Sequence, residues 1–200
     1  MHQYHRVYHC TKELFRSTIL EAVAILVMTI GSVLSARGME GIGHVLGIVG
    51  LVLALVAYVM HVTGIYNASK ENGKFKVALG MVITCLILAI LHAILNRTSE
   101  RLAEDAEMLE SGVNILCIFF VCRGITEVRH LVGQENRRDV TIYRISLLFL
   151  ALALIVNIYG FFVESAKIES LIVAVALRII GYGLYVADLR RDYHAMEQAE

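Results

Sequence analysis

Charged and amide side chains interrupt several long apolar runs of this chain. The clearest case is Arg178, which lies near the middle of the run LIVAVALRIIGYGLYV. A charge in such a setting requires a partner or a water-filled cavity. Its candidate partners are Glu164 and Asn157 on the preceding run, Glu127 on an earlier one, or an anionic ligand. The pattern predicts either an interhelical contact that fixes packing or a site for a substrate or ion.

Arg123 and Glu127 form a second charged group, in the run SGVNILCIFFVCRGITEVRHLV. A spacing of four residues puts them on the same face of a helix, where they can pair and lower the cost of burial. We expect a self-contained ion pair here.

Four histidines lie near the ends of apolar runs: His44, His92, His61 and His130. Two axial pairs stacked across a membrane, His44 with His92 and His61 with His130, are typical of a di-haem b-type cytochrome. The 17 residues from His44 to His61 span about 26 Å of helix, which is longer than such a pair of haems needs. Interfacial histidines are also common without any ligand, so we expect no cofactor and keep haem b as an alternative.

At the N-terminus, His2, His5 and His9 fall at i, i+3 and i+7, with Cys10 beside them. On a helix they share one face, and three imidazoles at this spacing can hold zinc or copper. The set lacks a fixed fourth ligand, and a chain end can fray. A metal site is therefore the alternative here, and free surface histidines are the simpler interpretation.

The motifs of soluble enzymes are missing, including GxGxxG, GxxxxGK[ST], HExxH, GxSxG and CxxC. We expect no enzymatic activity. The 18 basic and 18 acidic residues balance, which disfavours a nucleic-acid partner. The four cysteines lie within or before apolar runs and are predicted to be free thiols. They are Cys10, Cys85, Cys117 and Cys122.

These residues are positioned by a chain of 200 residues that is 58% apolar and only 18% charged, with a mean hydropathy of +0.67. A helix needs about 20 apolar residues to cross about 30 Å of hydrocarbon, and it satisfies its own backbone hydrogen bonds there. The sequence predicts an all-α polytopic membrane helix bundle in one domain, 1–200. Its six predicted spans are 17–36, 42–63, 75–95, 111–132, 142–163 and 168–188.

Lysine and arginine are concentrated in alternate segments: the N-terminus, the second and fourth connections, and the tail. Cytoplasmic loops retain positive charge, so both termini are predicted to be cytoplasmic in a cell (plasma) membrane protein. The same bias favours a crossing at 111–132 in spite of its charged residues.

Two segments outside the spans have amphipathic character. In 98–110, an apolar stripe of Leu102, Ala106 and Leu109 predicts a short external helix on the membrane surface. The first 16 residues are basic and aromatic, which suits an interfacial helix attracted to anionic lipid or plain juxtamembrane chain. Within the second span, Gly43, Gly47 and Gly50 fit close helix packing.

Three stretches resemble a family of uncharacterised small polytopic membrane proteins of low-GC Gram-positive bacteria. They are GIYNASKENGKFKVAL at 64–79, IFFVCRGITEVRHL at 118–131 and IIGYGLYVADLRRDY at 179–193. The resemblance implies a bacterial plasma-membrane location and carries over no functional residue.

Three classes of function remain open. The leading hypothesis is a membrane protein that passes or senses a small solute, with Arg178 as its polar centre. The second is a structural or accessory subunit that binds another membrane protein, or a second copy of itself, through small-residue faces. The third is di-haem electron transfer. The lipid bilayer is the partner common to all three.

Overall fold

Six long α-helices make up nearly all of the computed structural model, which describes residues 2–131 and 137–198. Within these ranges the side chains of 2–4, 36, 100, 131, 137–141 and 164 are left undescribed. The helices are α1 (His2–Ala36), α2 (Glu40–Ser69), α3 (Gly73–Leu95), α4 (Glu100–Leu131), α5 (Arg137–Phe162) and α6 (Lys167–Glu197). A short 3-10 turn, Glu164–Ala166, precedes α6, and the described ranges contain no strand. The predicted all-α class is confirmed.

Each of these helices is long and apolar enough to cross a membrane, and the chain is a multi-pass membrane protein. Large apolar side chains stay exposed along the helices, among them Ile25, Leu51, Leu55, Ile87 and Ile172. Such an exposed apolar surface suits contact with lipid tails.

The helices form three antiparallel hairpins, α1–α2, α3–α4 and α5–α6. Each helix also packs against the next along the chain, and α6 packs against α1, so that the six form a closed ring. Helix direction alternates around the ring, and α4 and α6 therefore run parallel to each other. The Tyr8 ring stacks on the Tyr193 ring at 5.7 Å, which places both ends of the chain at the same end of the bundle. We call this end the terminal end, and the opposite one, with the turns at 37–39, 96–99 and 163–166, the far end.

Glycines bring α1 and α2 into backbone contact. A Cβ atom on Gly43 would lie 2.6 Å from the carbonyl oxygen of Gly31, and one on Gly50 would lie 3.0 Å from that of Ala24. Nothing lies within 4 Å of a Cβ on Gly47. The small-residue face predicted on the second span is thus divided: Gly43 and Gly50 pack inside the hairpin, and Gly47 does not.

The best-packed core lies at the terminal end. Its fully buried members come from five helices: Val7, Leu14, Ile65, Phe75, Ile125, Leu189 and Met196. Packing at this end extends beyond the length that a bilayer requires, because α1 and α6 have 35 and 31 residues and both exceed their predicted spans here.

The two predicted amphipathic segments are not separate helices. Residues before 17 continue α1, and Val7, Cys10, Thr11 and Leu14 are buried among neighbouring helices rather than placed on a membrane surface. Residues 100–110 continue into the fourth span as one helix, α4, with Ala106 buried while Leu102 and Leu109 are exposed. The sequence contains no proline that would end either helix earlier.

Candidate functional site

Arg178 of α6 reaches two side chains of α4. Its Nη2 donates to Ser111 Oγ at 3.3 Å, and its Nη1 lies 4.0 Å from Glu107 Oε1. Of the predicted partners, Glu127 contacts Asn72 and Lys74 instead, Asn157 lines a cleft together with Glu107, and the Glu164 side chain lies outside the described part. A long arginine side chain can extend its guanidinium group along the helix, to polar partners at a different depth from its own Cα atom.

A second polar contact between α4 and α6 lies one helical turn further into the bundle. Asn114 Nδ2 donates to Tyr182 Oη at 2.6 Å. Glu21 of α1 and Glu110 of α4 lie within electrostatic range of the same hydroxyl group. Together, Glu107, Ser111, Asn114, Arg178 and Tyr182 form a group that we call the far-end cluster.

A cleft of about 180 Å³ opens beside this cluster, between α4, α5 and α6. It is lined by Glu104, Glu107, Met108, Asn157, Gly160, Phe161, Lys167, Ser170 and Leu171. The ion pair between Lys167 Nζ and Glu104 Oε1, at 2.8 Å, lies on its wall. Glu107 connects the cleft to Arg178. At roughly 30 Å³ per water molecule, the cleft has room for about six waters or a small solute.

Glu127 does not form the predicted pair with Arg123. Its Oε2 accepts a hydrogen bond from Asn72 Nδ2 at 3.3 Å, and its Oε1 lies 3.9 Å from Lys74 Nζ. Asn72 is the N-cap of α3, where its Oδ1 accepts from the Lys74 backbone N–H at 2.7 Å. A carboxylate is stabilised at a helix N-terminus, which favours this position over a pair within α4. Arg123 is exposed.

A buried ionic group at the terminal end was not predicted from the sequence. Arg129 Nη1 contacts Asp192 Oδ1 at 2.5 Å, and both side chains are 8% exposed. Arg191 Nη2 contacts Asp188 Oδ1 at 2.7 Å. The buried Tyr185 hydroxyl, one turn before Asp188, has no hydrogen-bond partner among the described residues. We call these five residues the terminal-end cluster.

The spacing of the buried residues along α6 follows one helical face, and this pattern includes residues of the terminal-end cluster. Buried residues recur every three, four or seven positions, which is the period of one helical face. They are Ser170, Ala174, Gly181, Tyr185, Asp188, Leu189, Asp192 and Met196. Because the last predicted span ends at 188, the residues beyond it fall in the predicted tail rather than in the bundle.

The histidines predicted as haem ligands differ in their surroundings. His92 Nδ1 lies 3.0 Å from the carbonyl oxygen of Ala103, so one of its ring nitrogens is engaged with α4. His44 and His130 are exposed, and His61 is half-buried. The haem interpretation stays a prediction.

At the N-terminus, His5 Nε2 and His9 Nε2 lie 3.1 Å apart, and the His2 side chain is not described. Among the described residues no three His, Cys, Asp or Glu side chains are grouped to hold a metal ion. The thiols are free: Cys10, Cys117 and Cys122 are buried and Cys85 is half-buried.

The two clusters on the α4–α6 interface differ in access. The far-end cluster is partly exposed and adjoins a cleft, whereas Arg129, Asp192 and Tyr185 of the terminal-end cluster are buried. Cys117, Val121, Cys122 and Ile125 are among the buried residues of α4 between the two clusters. Arg178 of the far-end cluster is therefore more accessible than Arg129 of the terminal-end cluster. No protein-family model matches the chain, and neither a curated protein nor a solved structure matches it.

Proposed function

We propose that this protein binds a small anionic solute at the far-end cluster, in order to pass it across the membrane or to sense it. Arg178 is the anion-binding group, and Ser111, Asn114 and Tyr182 supply neutral hydrogen-bonding groups. The protein acts without chemical catalysis on the solute.

The incomplete pairing of Arg178 carries this proposal. A guanidinium group has five N–H donors, and charge-assisted bonds to carboxylates are typically about 2.7–2.9 Å long. Arg178 makes two contacts, at 3.3 and 4.0 Å, and its side chain is 32% exposed. Arg129, on the same interface, is held by a carboxylate at 2.5 Å and is nearly inaccessible. Arg178 thus keeps donors available for an added anion.

The direction of access follows from charge. The cationic connections lie at the terminal end, which by the positive-inside rule is the cytoplasmic end. The cleft would then open to the outside of the cell, in a bacterial plasma membrane if the family resemblance holds. Passage would require the packed terminal end to open, whereas sensing would require binding alone.

The two alternatives have less support. An accessory subunit would use small-residue faces, but Gly43 and Gly50 already pack against α1, which leaves only Gly47 of the predicted face open. For haem ligation, the contact of His92 Nδ1 with Ala103 leaves Nε2 available as a ligand, and only the sequence pattern supports this alternative.

Ligand-induced stabilisation of the purified protein tests the proposal. A panel of small carboxylates and phosphates is added and the melting temperature is measured, because a ligand at 100 times its Kd stabilises by about 2.7 kcal/mol. We expect at least one anion to raise the melting temperature. The rise should disappear in Arg178→Leu and persist in Arg123→Leu, which removes an exposed arginine of α4.

Glu107→Gln keeps the proposal testable if Arg178→Leu does not fold. This variant removes the carboxylate that competes for Arg178, so anion affinity should increase. An unchanged or lower affinity in Glu107→Gln would count against the proposal, as would an anion effect that survives in folded Arg178→Leu.

A further inference from the structure

A second recess lies on the outer surface of the bundle, between α1 and α6 near the terminal end. It has a volume of about 760 Å³. We call it the α1–α6 groove. Because it is separate from the far-end cluster, a ligand bound in it would be independent of the proposed function.

The lining of the groove is apolar at one end and cationic at the other. Towards the middle of the bundle its lining is apolar, with Ile19 of α1 and Gly183, Val186 and Ala187 of α6. Towards the terminal end it is lined by Arg190, Arg191 and His194. From Gly183 to His194 is 11 residues, or about 16 Å of helix. An apolar channel that ends in cations matches a molecule with an acyl tail and an anionic head.

The cations differ in how they are engaged. Arg191 contacts Asp188, and His194 Nδ1 lies 3.4 Å from Glu197 Oε2. Arg190 is exposed and has no carboxylate within 4.0 Å among the described residues. It is therefore the group in the groove with a charge available for a ligand.

We propose that the α1–α6 groove binds an anionic phospholipid, with its phosphate on Arg190 and one acyl chain along Ile19, Gly183 and Val186. The groove lies on the surface of a membrane protein, where lipid is the surrounding solvent. Basic recesses between transmembrane helices on the cytoplasmic side bind acidic headgroups, and the terminal end is the one predicted to be cytoplasmic. A lipid held there would bridge α1 and α6, the contact that closes the ring.

Two variants separate tail from head recognition. Gly183→Leu introduces a side chain into the groove, and nothing lies within 4 Å of a Cβ at this position. Gly80→Leu on α3 is its matched control, since a Cβ there is equally unobstructed. Arg190→Gln removes the proposed headgroup contact, and Arg123→Gln, at another exposed arginine, is the control for charge.

The full-length protein is purified in detergent and supplied with phosphatidylglycerol, phosphatidylcholine or inorganic phosphate. Bound lipid is counted by native mass spectrometry, and the melting temperature is recorded. We expect preferential retention of phosphatidylglycerol, a rise in melting temperature, and a loss of about fivefold or more in retention in Arg190→Gln and in Gly183→Leu. Both controls should bind as the parent protein does.

Three results would overturn the proposal. The first is equal retention of the two lipids, and the second is full phosphatidylglycerol binding in both groove variants. The third is a thermal shift with inorganic phosphate equal to that with phosphatidylglycerol, which would indicate a simple phosphate site with no role for the acyl chain.

Discussion

Two arginines on the interface between α4 and α6 are held in opposite ways. Arg129 is buried with Asp192, whereas Arg178 is half-buried and makes two long contacts. A buried ion pair contributes little compared with apolar residues of the same size, but loss of one partner leaves an uncompensated charge. The two arginines should therefore respond differently to substitution.

Asp192→Ala should destabilise the protein by about 3–5 kcal/mol, because it removes a carboxylate that contacts the buried Arg129 guanidinium. The double variant Arg129→Met with Asp192→Leu removes both charges and should recover most of that loss. Unfolding by denaturant in detergent measures both differences. Glu104→Gln breaks an exposed ion pair with Lys167 and is the control, with an expected effect below about 1 kcal/mol. If Glu104→Gln lowered the free energy of unfolding as much as Asp192→Ala does, burial would not explain the difference between the two ion pairs.

At the residue level, the sequence identified a charged residue within an apolar run more easily than it identified the side chains that this residue contacts. A charge within an apolar run is visible in one dimension, which is why Arg178 was predicted to be significant. Its contacts with Glu107 and Ser111 depend on which helices are neighbours and how far a long side chain extends. The pair of Arg129 and Asp192 joins residues 63 positions apart, and nothing local in the sequence connects them.

At the scale of helices, hydropathy predicted the lipid-spanning segments but underestimated the full length of the helices that contain them. A window of about 20 apolar residues detects only the part of a helix that lipid contacts. The extensions of α1, α4 and α6 carry charges on one face and small or apolar residues on another. The α1 and α6 extensions contact each other at the terminal end, whereas the α4 extension contacts α3 at the far end. The helical period is the only sequence signal for such packing.

The packing of α1 on α2 predicts different effects for two glycine substitutions in α2, one of which serves as the control for the other. Gly43→Ala places a methyl group 2.6 Å from the Gly31 carbonyl oxygen, so the helices must separate, and stability should fall by about 1–3 kcal/mol. Gly47→Ala meets nothing within 4 Å and should be neutral or stabilising by up to about 1 kcal/mol, because alanine favours helix more than glycine does. Thermal unfolding of both variants measures the difference. Equal effects at the two positions would show that α1 and α2 do not approach as closely as described.

For the whole molecule, an even number of spans and the contact between Tyr8 and Tyr193 put both ends of the chain on one side. The sequence predicted this from the distribution of lysine and arginine between alternate connections. It did not predict the ring, because the order of helices around a bundle depends on which faces fit together. The assignment of that side to the cytoplasm rests on charge alone.

Cysteine labelling in intact cells tests this assignment. Thr98→Cys in the far-end turn should react with a membrane-impermeant maleimide added outside. Lys70→Cys at the terminal end should react only after permeabilisation. Both positions are exposed, and three of the four native thiols are buried, so the parent protein provides the background. Labelling of Lys70→Cys from outside would reverse the proposed direction of access.

Closure of the ring by α6 against α1 has a consequence for biosynthesis. Thr11 and Met196, which are in contact, are separated by 185 positions, so the N-terminal helix leaves the ribosome long before its final neighbour exists. Until translation is nearly complete, Tyr8 and Thr11 lack the α6 side chains that they finally contact, Tyr193 and Met196. Contacts between such distant positions form late. A nascent chain that stops before α6 would therefore be inserted in the membrane, but the core at its terminal end would lack the residues that α6 contributes.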